Sequence, residues 1–233
     1  MRYDLPYKGL EEPLTTDSTV DKVYLGQRFG GQQVSYKPLL GHPGQDVAKF
    51  GFSFPIDAMF EELCVGSFNH YIPDNDGDGK EEGYGNVYIA HAKVDDEVIE
   101  IRHAHLKELI AEVGRIYKPG ELIGEAGATG RAYGVHDHLE IIPIKPEAYG
   151  KQTSAVDRLY NDNGYAGRVD PVPYIIKANQ TMENVLILKD ENSDQLYLAY
   201  KLTPADGKKL FDENEDGSIQ WPLVQIDGTV KLK

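Results

Sequence analysis

Between Val23 and about Ile144 the apolar residues alternate with polar ones in short segments, each cut off by glycine or proline. This pattern restricts the fold more than any other feature of the chain. Asn86-Val87-Tyr88-Ile89-Ala90-His91, Glu97-Val98-Ile99-Glu100-Ile101-Arg102-His103 and His136-Asp137-His138-Leu139-Glu140-Ile141 all have period two, which belongs to a strand and not to a helix. Turn signals lie between such segments at Gly83-Tyr84-Gly85, Pro119-Gly120 and Gly127-Ala128-Thr129-Gly130. With 24 glycines and 13 prolines in 233 residues, many turns and short strands are expected. The fold class is therefore mainly β and antiparallel, with few short helices. His105 to Val113 has helical spacing and predicts a short helix or a turn after a strand. Residues 145–170 read as a loop-rich excursion that returns at Asp170-Pro171.

Three regions are expected. Residues 1–20 form an extended N-terminal segment, 21–178 the main domain, and 179–233 a small β-rich C-terminal extension. In the extension, Val185–Leu188, Gln195–Tyr200 and a stretch near Leu223–Leu232 read as strands. About fifty residues make a marginal core alone, so the extension is expected to pack on the main domain.

The 24 basic and 38 acidic residues leave a formal charge of −14, which argues against nucleic acid and against docking on anionic lipid. One cysteine, Cys64, permits no intrachain disulfide, and its apolar neighbours predict a buried, inert thiol. No run of 18 apolar residues is present, so no membrane span is expected. Nor does the N-terminus show a charged start followed by an apolar core, so no secretory signal is visible. Removal of a leader and release by cell lysis both fit that ending.

Chemistry is concentrated in histidine. In Gly41-His42-Pro43-Gly44-Gln45-Asp46 an imidazole and a carboxylate stand four residues apart, with proline and glycine between them. That composition disfavours a helix and calls for a turn entering a strand. Alternation puts His136 and His138 on one strand face and Asp137 on the other. By the same rule His103 and His105 share a face, so either could enter the same cleft. Two imidazoles and one carboxylate would leave a tetrahedral Zn²⁺ one open position, the arrangement of a catalytic site. Non-haem Fe(II) also suits that donor set, and histidines that merely pack or face solvent remain the plain alternative.

These segments resemble lysostaphin/LytM-type zinc metallopeptidases in the family's own order. GQRFGGQQVSYKPLLGHPGQD (26–46) is similar to the family's Gln-x-Phe-Gly followed by Gly-His-x-Gly-x-Asp. GYGNVYIAHA (83–92) resembles its Gly-Tyr-Gly-Asn strand, and RHAHLKEL (102–109) its Tyr-x-His-Leu segment. GELIGEAGATGRAYGVHDHLEI (120–141) resembles its Gly-x-Thr-Gly and His-x-His block, and VDPVPYI (169–175) its Asp-Pro closing segment. The resemblance spans about residue 22 to 176. It implies an open-barrel or sandwich peptidase core of the duplicated-hybrid-motif type. It further implies one catalytic zinc held by His42, Asp46 and His138, with His105 and His136 as the catalytic pair beside it. The implied function is endopeptidase action on stem or cross-link peptides of bacterial peptidoglycan, by a lysin or autolysin, outside the cell or facing its wall. The alternative is a catalytically silent wall-binding or regulatory module of the same fold. A monomer is expected. His103, where the family usually has tyrosine, and Asp137, in an apolar position, depart from the pattern.

Two acidic loops complete the inventory of site candidates. Asp74, Asp76 and Asp78, and again Asp212, Asn214 and Asp216, place oxygen ligands at positions 1, 3 and 5 with glycine at 6, as an EF-hand does. Position 12 is Gly85 in one and Leu223 in the other, so the bidentate glutamate is missing from both. Calcium sites and polar Asp-Gly turns are both open readings.

Overall fold

A computed structural model describes residues 2–3, 5–11, 22–32, 37–74, 77, 79 and 82–183, together with strands at 185–189, 196–200, 223–225 and 230–231. Contacts divide the chain into two units, Met1–Ala178 and Asn179–Lys233. The first is mainly β. Its strands are β1 (Arg2–Tyr3), β2 (Leu10–Glu11), β3 (Tyr24–Leu25), β4 (Gln45–Ala48), β5 (Pro55–Asp57), β6 (Glu62–Ile72), β7 (Glu82–Val94), β8 (Glu97–Leu106), β9 (Ile116–Tyr117), β10 (Leu122–Glu125) and β11 (His136–Ile144). Seven of them form one antiparallel sheet in the order β3-β4-β11-β8-β7-β6-β9, and β10-β5 and β1-β2 pair separately.

Both faces of the central strands are covered. One carries Val47, Tyr88, Ala90, Ile99, Ile101, Leu139 and Ile141, against which pack Phe54 and Ile56, the N-terminal Leu5, Tyr7 and Leu10, and Ile175 of helix α1 (Val172–Glu183). On the other face Val98, Ile142 and Ile144 meet Ala148 from the 145–170 excursion. That excursion has two 3-10 turns, Pro146–Ala148 and Ala155–Asp157. It is fastened to β11 by bridges Ile144↔Arg158 and Ile141↔Val169. Helix α1 starts after Asp170-Pro171, where the Val172 N–H donates to Asp170 Oδ1 at 3.0 Å, satisfying one of the free donors of the first turn.

After β8 the chain takes the turn and not the short helix, and residues 107–113 are not helical. Lys107 N donates to the Glu125 carbonyl and Gly114 N to that of Cys64, so tertiary bonds take this backbone, and Leu109, Ile110 and Val113 are exposed. The N-terminal segment is also more than an extended lead-in, because Tyr7 is completely buried.

The second unit contains the antiparallel sheet β12-β13-β14-β15: Val185–Lys189, Leu196–Tyr200, Leu223–Gln225 and Val230–Lys231. Among the described residues, no helix is long and apolar enough to cross a membrane.

Candidate metal centre

Sheet register brings the first two donors together. His138 of β11 lies directly opposite Asp46 of β4, so both point to the same face. His42 arrives from the turn before β4, which can fold close only because residue 44 is glycine. A Cβ there would lie 2.5 Å from the Leu139 carbonyl oxygen and 2.8 Å from the His138 ring. The three side chains form a His-Asp-His cluster. His42 Nε2 is 3.1 Å from His138 Nδ1 and 3.2 Å from Asp46 Oδ1, and His138 Nδ1 is 2.9 Å from Asp46 Oδ1. A tetrahedral ion with bonds of about 2.0–2.1 Å has ligand-to-ligand edges of about 3.3 Å, so the triangle is close to the required size.

The far side of each ring is held. His42 Nδ1 donates to the Arg28 carbonyl at 3.3 Å, and His138 Nε2 to Glu140 Oε1 at 3.3 Å. These bonds select the tautomers whose remaining lone pairs converge beside Asp46 Oδ1, the arrangement by which outer groups orient metal-binding imidazoles. Glu140 is itself anchored. Its Oε1 accepts the Tyr84 hydroxyl at 2.7 Å and pairs with Arg168 Nε at 2.7 Å. The Tyr84 ring stacks on that of His138 at 5.9 Å.

Electrostatics follow from this crowding. Burial pushes the Asp46 carboxyl up, but hydrogen bonds to His138 and His42 outweigh it and hold the group well below the usual carboxylate range. Burial lowers His138, yet Asp46 and Glu140 raise it to about 10, so without a cation this ring keeps a proton. A cation at the three donors would take that proton's place. The chemistry and size of the donor set thus fit zinc.

His105 and His136 flank the cluster, their rings 4.8 Å apart, in a cleft of about 630 Å³ that also takes in His42, Asp46 and His138. His105 has φ 62°, a left-handed conformation uncommon outside glycine. It sits at a β-bulge, because β7 advances from Asn86 to Tyr88 while β8 runs from Leu106 to His103. This corrects the expectation that His103 and His105 share a face. The extra residue turns His105 into the cleft and leaves His103 on the core side, completely buried. His105 Nδ1 donates to the Thr129 carbonyl at 2.8 Å, which leaves Nε2 as the acceptor. Gly85 (φ 62°) lets the Thr129 loop approach, since a Cβ there would come within 2.4 Å of it. Burial and the neighbouring His136 and His138 lower His105 to about 4, so it is neutral near pH 7. His136 Nδ1 donates to the Gly134 carbonyl at 2.8 Å, and its Nε2 lies 3.8 Å from Asp46 Oδ1.

Three other histidines stand apart from the cluster. His91 is buried in a pair with Glu100, and His103 in a pair with Asp137. His70 accepts the Tyr84 N–H at 3.2 Å. Burial raises the Cys64 thiol to about 11, which keeps it protonated. Asp74 accepts N–H bonds from Gly77 and Gly79 at 2.7 and 3.0 Å, a turn closed by its own carboxylate. The other calcium candidates, Asp76, Asp78, Asp212, Asn214 and Asp216, lie outside the described residues. The anchoring roles of Tyr84, Glu140 and Arg168 did not emerge from sequence. Glu140 and Tyr84 fall inside the quoted motifs, while Arg168 carries no sequence signal at all.

No family model matches the chain. It is 28% identical over 113 residues to the peptidoglycan DD-endopeptidase ShyB of Vibrio cholerae, a match covering 45% of this chain and 26% of that protein. The chain therefore matches about a quarter of the length of that relative. The segments that resemble the lysostaphin/LytM-type family lie in order along the sheet that carries the His-Asp-His cluster, and the likeness to ShyB covers part of that stretch. Among solved structures, the antimicrobial peptidase lysostaphin from Staphylococcus simulans aligns at a TM-score of 0.46 and 20% identity, over 84% of this chain and 60% of that one. A zinc containing peptidase from Vibrio cholerae aligns at 0.39 and 20% identity, over 53% and 33%.

Proposed function

We propose that this chain is a zinc-dependent endopeptidase that hydrolyses peptide bonds of bacterial cell-wall peptidoglycan. The observation that carries the reading is the convergence of His42 Nε2, Asp46 Oδ1 and His138 Nδ1, 2.9–3.2 Å apart, with both rings held from behind. When bound, zinc supplies a Lewis acid that polarises an amide carbonyl and acidifies water. Around it, the chain's own groups handle protons. His105 Nε2, an acceptor in a neutral ring, takes the proton of the attacking water. His136, tied to Gly134 through Nδ1, offers Nε2 on the other side of the same space. It helps to orient the water, and the proton taken by His105 returns to the leaving amine. The peptidoglycan substrate is carried over from the name of the ShyB relative. The reading places catalysis in residues 21–178, treats 179–233 as an extension, and puts the site of action at the cell wall.

The experiment is metal analysis of the purified chain, joined to mass spectrometry of fragments released from purified cell walls. About one zinc per chain and new peptide termini are expected. His138→Ala should lose zinc and product together, whereas His105→Ala should keep zinc and lose product. If His138→Ala retained both zinc and activity, the assignment would be wrong.

A further inference from the structure

Strand β8 changes face at its bulge, and this leaves a buried carboxylate behind the cleft with an unusual set of partners. His138 lies opposite Ala104, and Leu139 opposite His103. Continued regularly, that register would set Asp137 opposite His105, both pointing into the core. The bulge instead sends His105 into the cleft, and the paired ladder between β11 and β8 ends at His138↔Ala104. Asp137 thereby loses its neighbour on β8, while on the other side it still pairs with Val47 of β4. His103 reaches it diagonally, Nδ1 donating to Asp137 Oδ2 at 2.7 Å. The Tyr7 hydroxyl, 130 positions away in sequence, donates to the same oxygen at 2.5 Å. None of the three side chains is exposed. Glu62 and Tyr88, themselves hydrogen-bonded at 2.9 Å, close the environment around His103.

We propose that Tyr7, His103 and Asp137 are positioning residues of the metal centre, pinning β11 to β8 where the bulge ends their ladder. Asp137 stands between His136 and His138, so a shift of that strand displaces both. His103 stands two residues before His105, so the same bond fixes where the bulge turns outward. An apolar pair would fill this space as well, but it would not fix the strands along their length as directional hydrogen bonds do. The tie also makes residues 5–11 part of the centre's support. The proposal rests on the zinc reading of the cradle, and none of the three residues touches the cleft.

The test uses the full chain. Zinc affinity is measured by competition with a chromophoric chelator, and the His105 ring signal is followed in a ¹H–¹³C spectrum. His103→Phe should weaken zinc about tenfold, as loss of supporting partners does in other metal sites, and shift the His105 signal. Tyr7→Phe should act in the same direction to a smaller extent. In the double variant His103→Phe/Asp137→Leu no buried charge is stranded and only the Tyr7 hydroxyl loses its partner, so stability should fall less than in Asp137→Leu alone while zinc binding stays weak. Parent-like zinc affinity and His105 signal in the double variant and in Tyr7→Phe would overturn the proposal. Should the larger changes prevent folding, Tyr7→Phe decides by the same two readings. A parent chain that binds no zinc overturns the proposed function together with this inference. A zinc-binding parent with unaffected variants overturns this inference alone.

Discussion

His91 and His103 in the core each face a carboxylate that no other imidazole shares, Glu100 at 3.3 Å and Asp137 at 2.7 Å. In the cleft, the ring nitrogens of His42, His136 and His138 all crowd toward Asp46, at 3.2, 3.8 and 2.9 Å. In each core pair one imidazole meets one carboxylate, whose remaining donors are not imidazoles: Arg102 and Thr153 at Glu100, Tyr7 at Asp137. Several lone pairs aimed at one small space are not complete, and a cation resolves them where no single proton can. The same side chain is structural in one place and chemical in the other, and the number of acceptors around it marks the difference.

The largest effect should come from breaking the cleft side. His138→Ala removes a donor and opens the space that Glu140 and Tyr84 enclose, so zinc content and wall hydrolysis should both fall to the level of a chelated control. His105→Ala should leave zinc in place and reduce the hydrolysis rate by about 10²–10⁴-fold, the range of a positioned acid–base group. Rate and bound metal measured on the same sample separate the two outcomes. If His105→Ala also lost its zinc, the division of labour between donors and flanking imidazoles would be wrong.

Legibility in the sequence followed the same division. Alternation revealed β7, β8 and β11 because each buries at least one regular face, and the donors were legible because glycine and proline around His42 leave few other conformations. The bulge was not legible. A single non-glycine residue at φ 62° flips His105 and leaves no compositional trace. Helical spacing at 105–113 left helix and turn both open, because it takes no account of the tertiary partners at Glu125 and Cys64 that claim the backbone. The reverse happened at α1, where Asp170-Pro171 read as a closing segment and is also the cap of a helix. Arg168 and Tyr7 act through contacts with residues 28 and 130 positions away, which no local pattern encodes.

Acid should weaken the core pair of His91 and Glu100. Burial pushes the Glu100 carboxyl up, but His91, Arg102 and Thr153 together hold it down at about 2. Its folded value lies below its unfolded one, so the stabilisation is fully present above about pH 4.5 and is lost as pH falls toward 2. The contribution at pH 7 is on the order of 3 kcal/mol. Urea unfolding at pH 6 and pH 3 should show a smaller loss on acidification in Glu100→Gln than in the parent. Equal losses would mean that this carboxylate is not the group being titrated.

The smallest effect sharpens the comparison most. Gly150 N donates to His91 Nδ1 at 3.0 Å, so the ring proton sits on Nε2 and is donated to Glu100 at 3.3 Å. His91 therefore joins β7 both to the β8 carboxylate and to the start of the loop excursion. His91→Phe keeps the ring's bulk and removes both bonds, while Arg102 still holds Glu100 through Nε at 2.6 Å. A loss of about 1–2 kcal/mol in unfolding free energy is expected, from one stranded N–H and one weakened pair. Zinc affinity should not change, because no hydrogen bond runs from His91 to a donor of the cradle. A zinc affinity that fell with His91→Phe would mean that core pairs support the metal wherever they lie in the sheet, and the line between structural and chemical histidines would have to be redrawn.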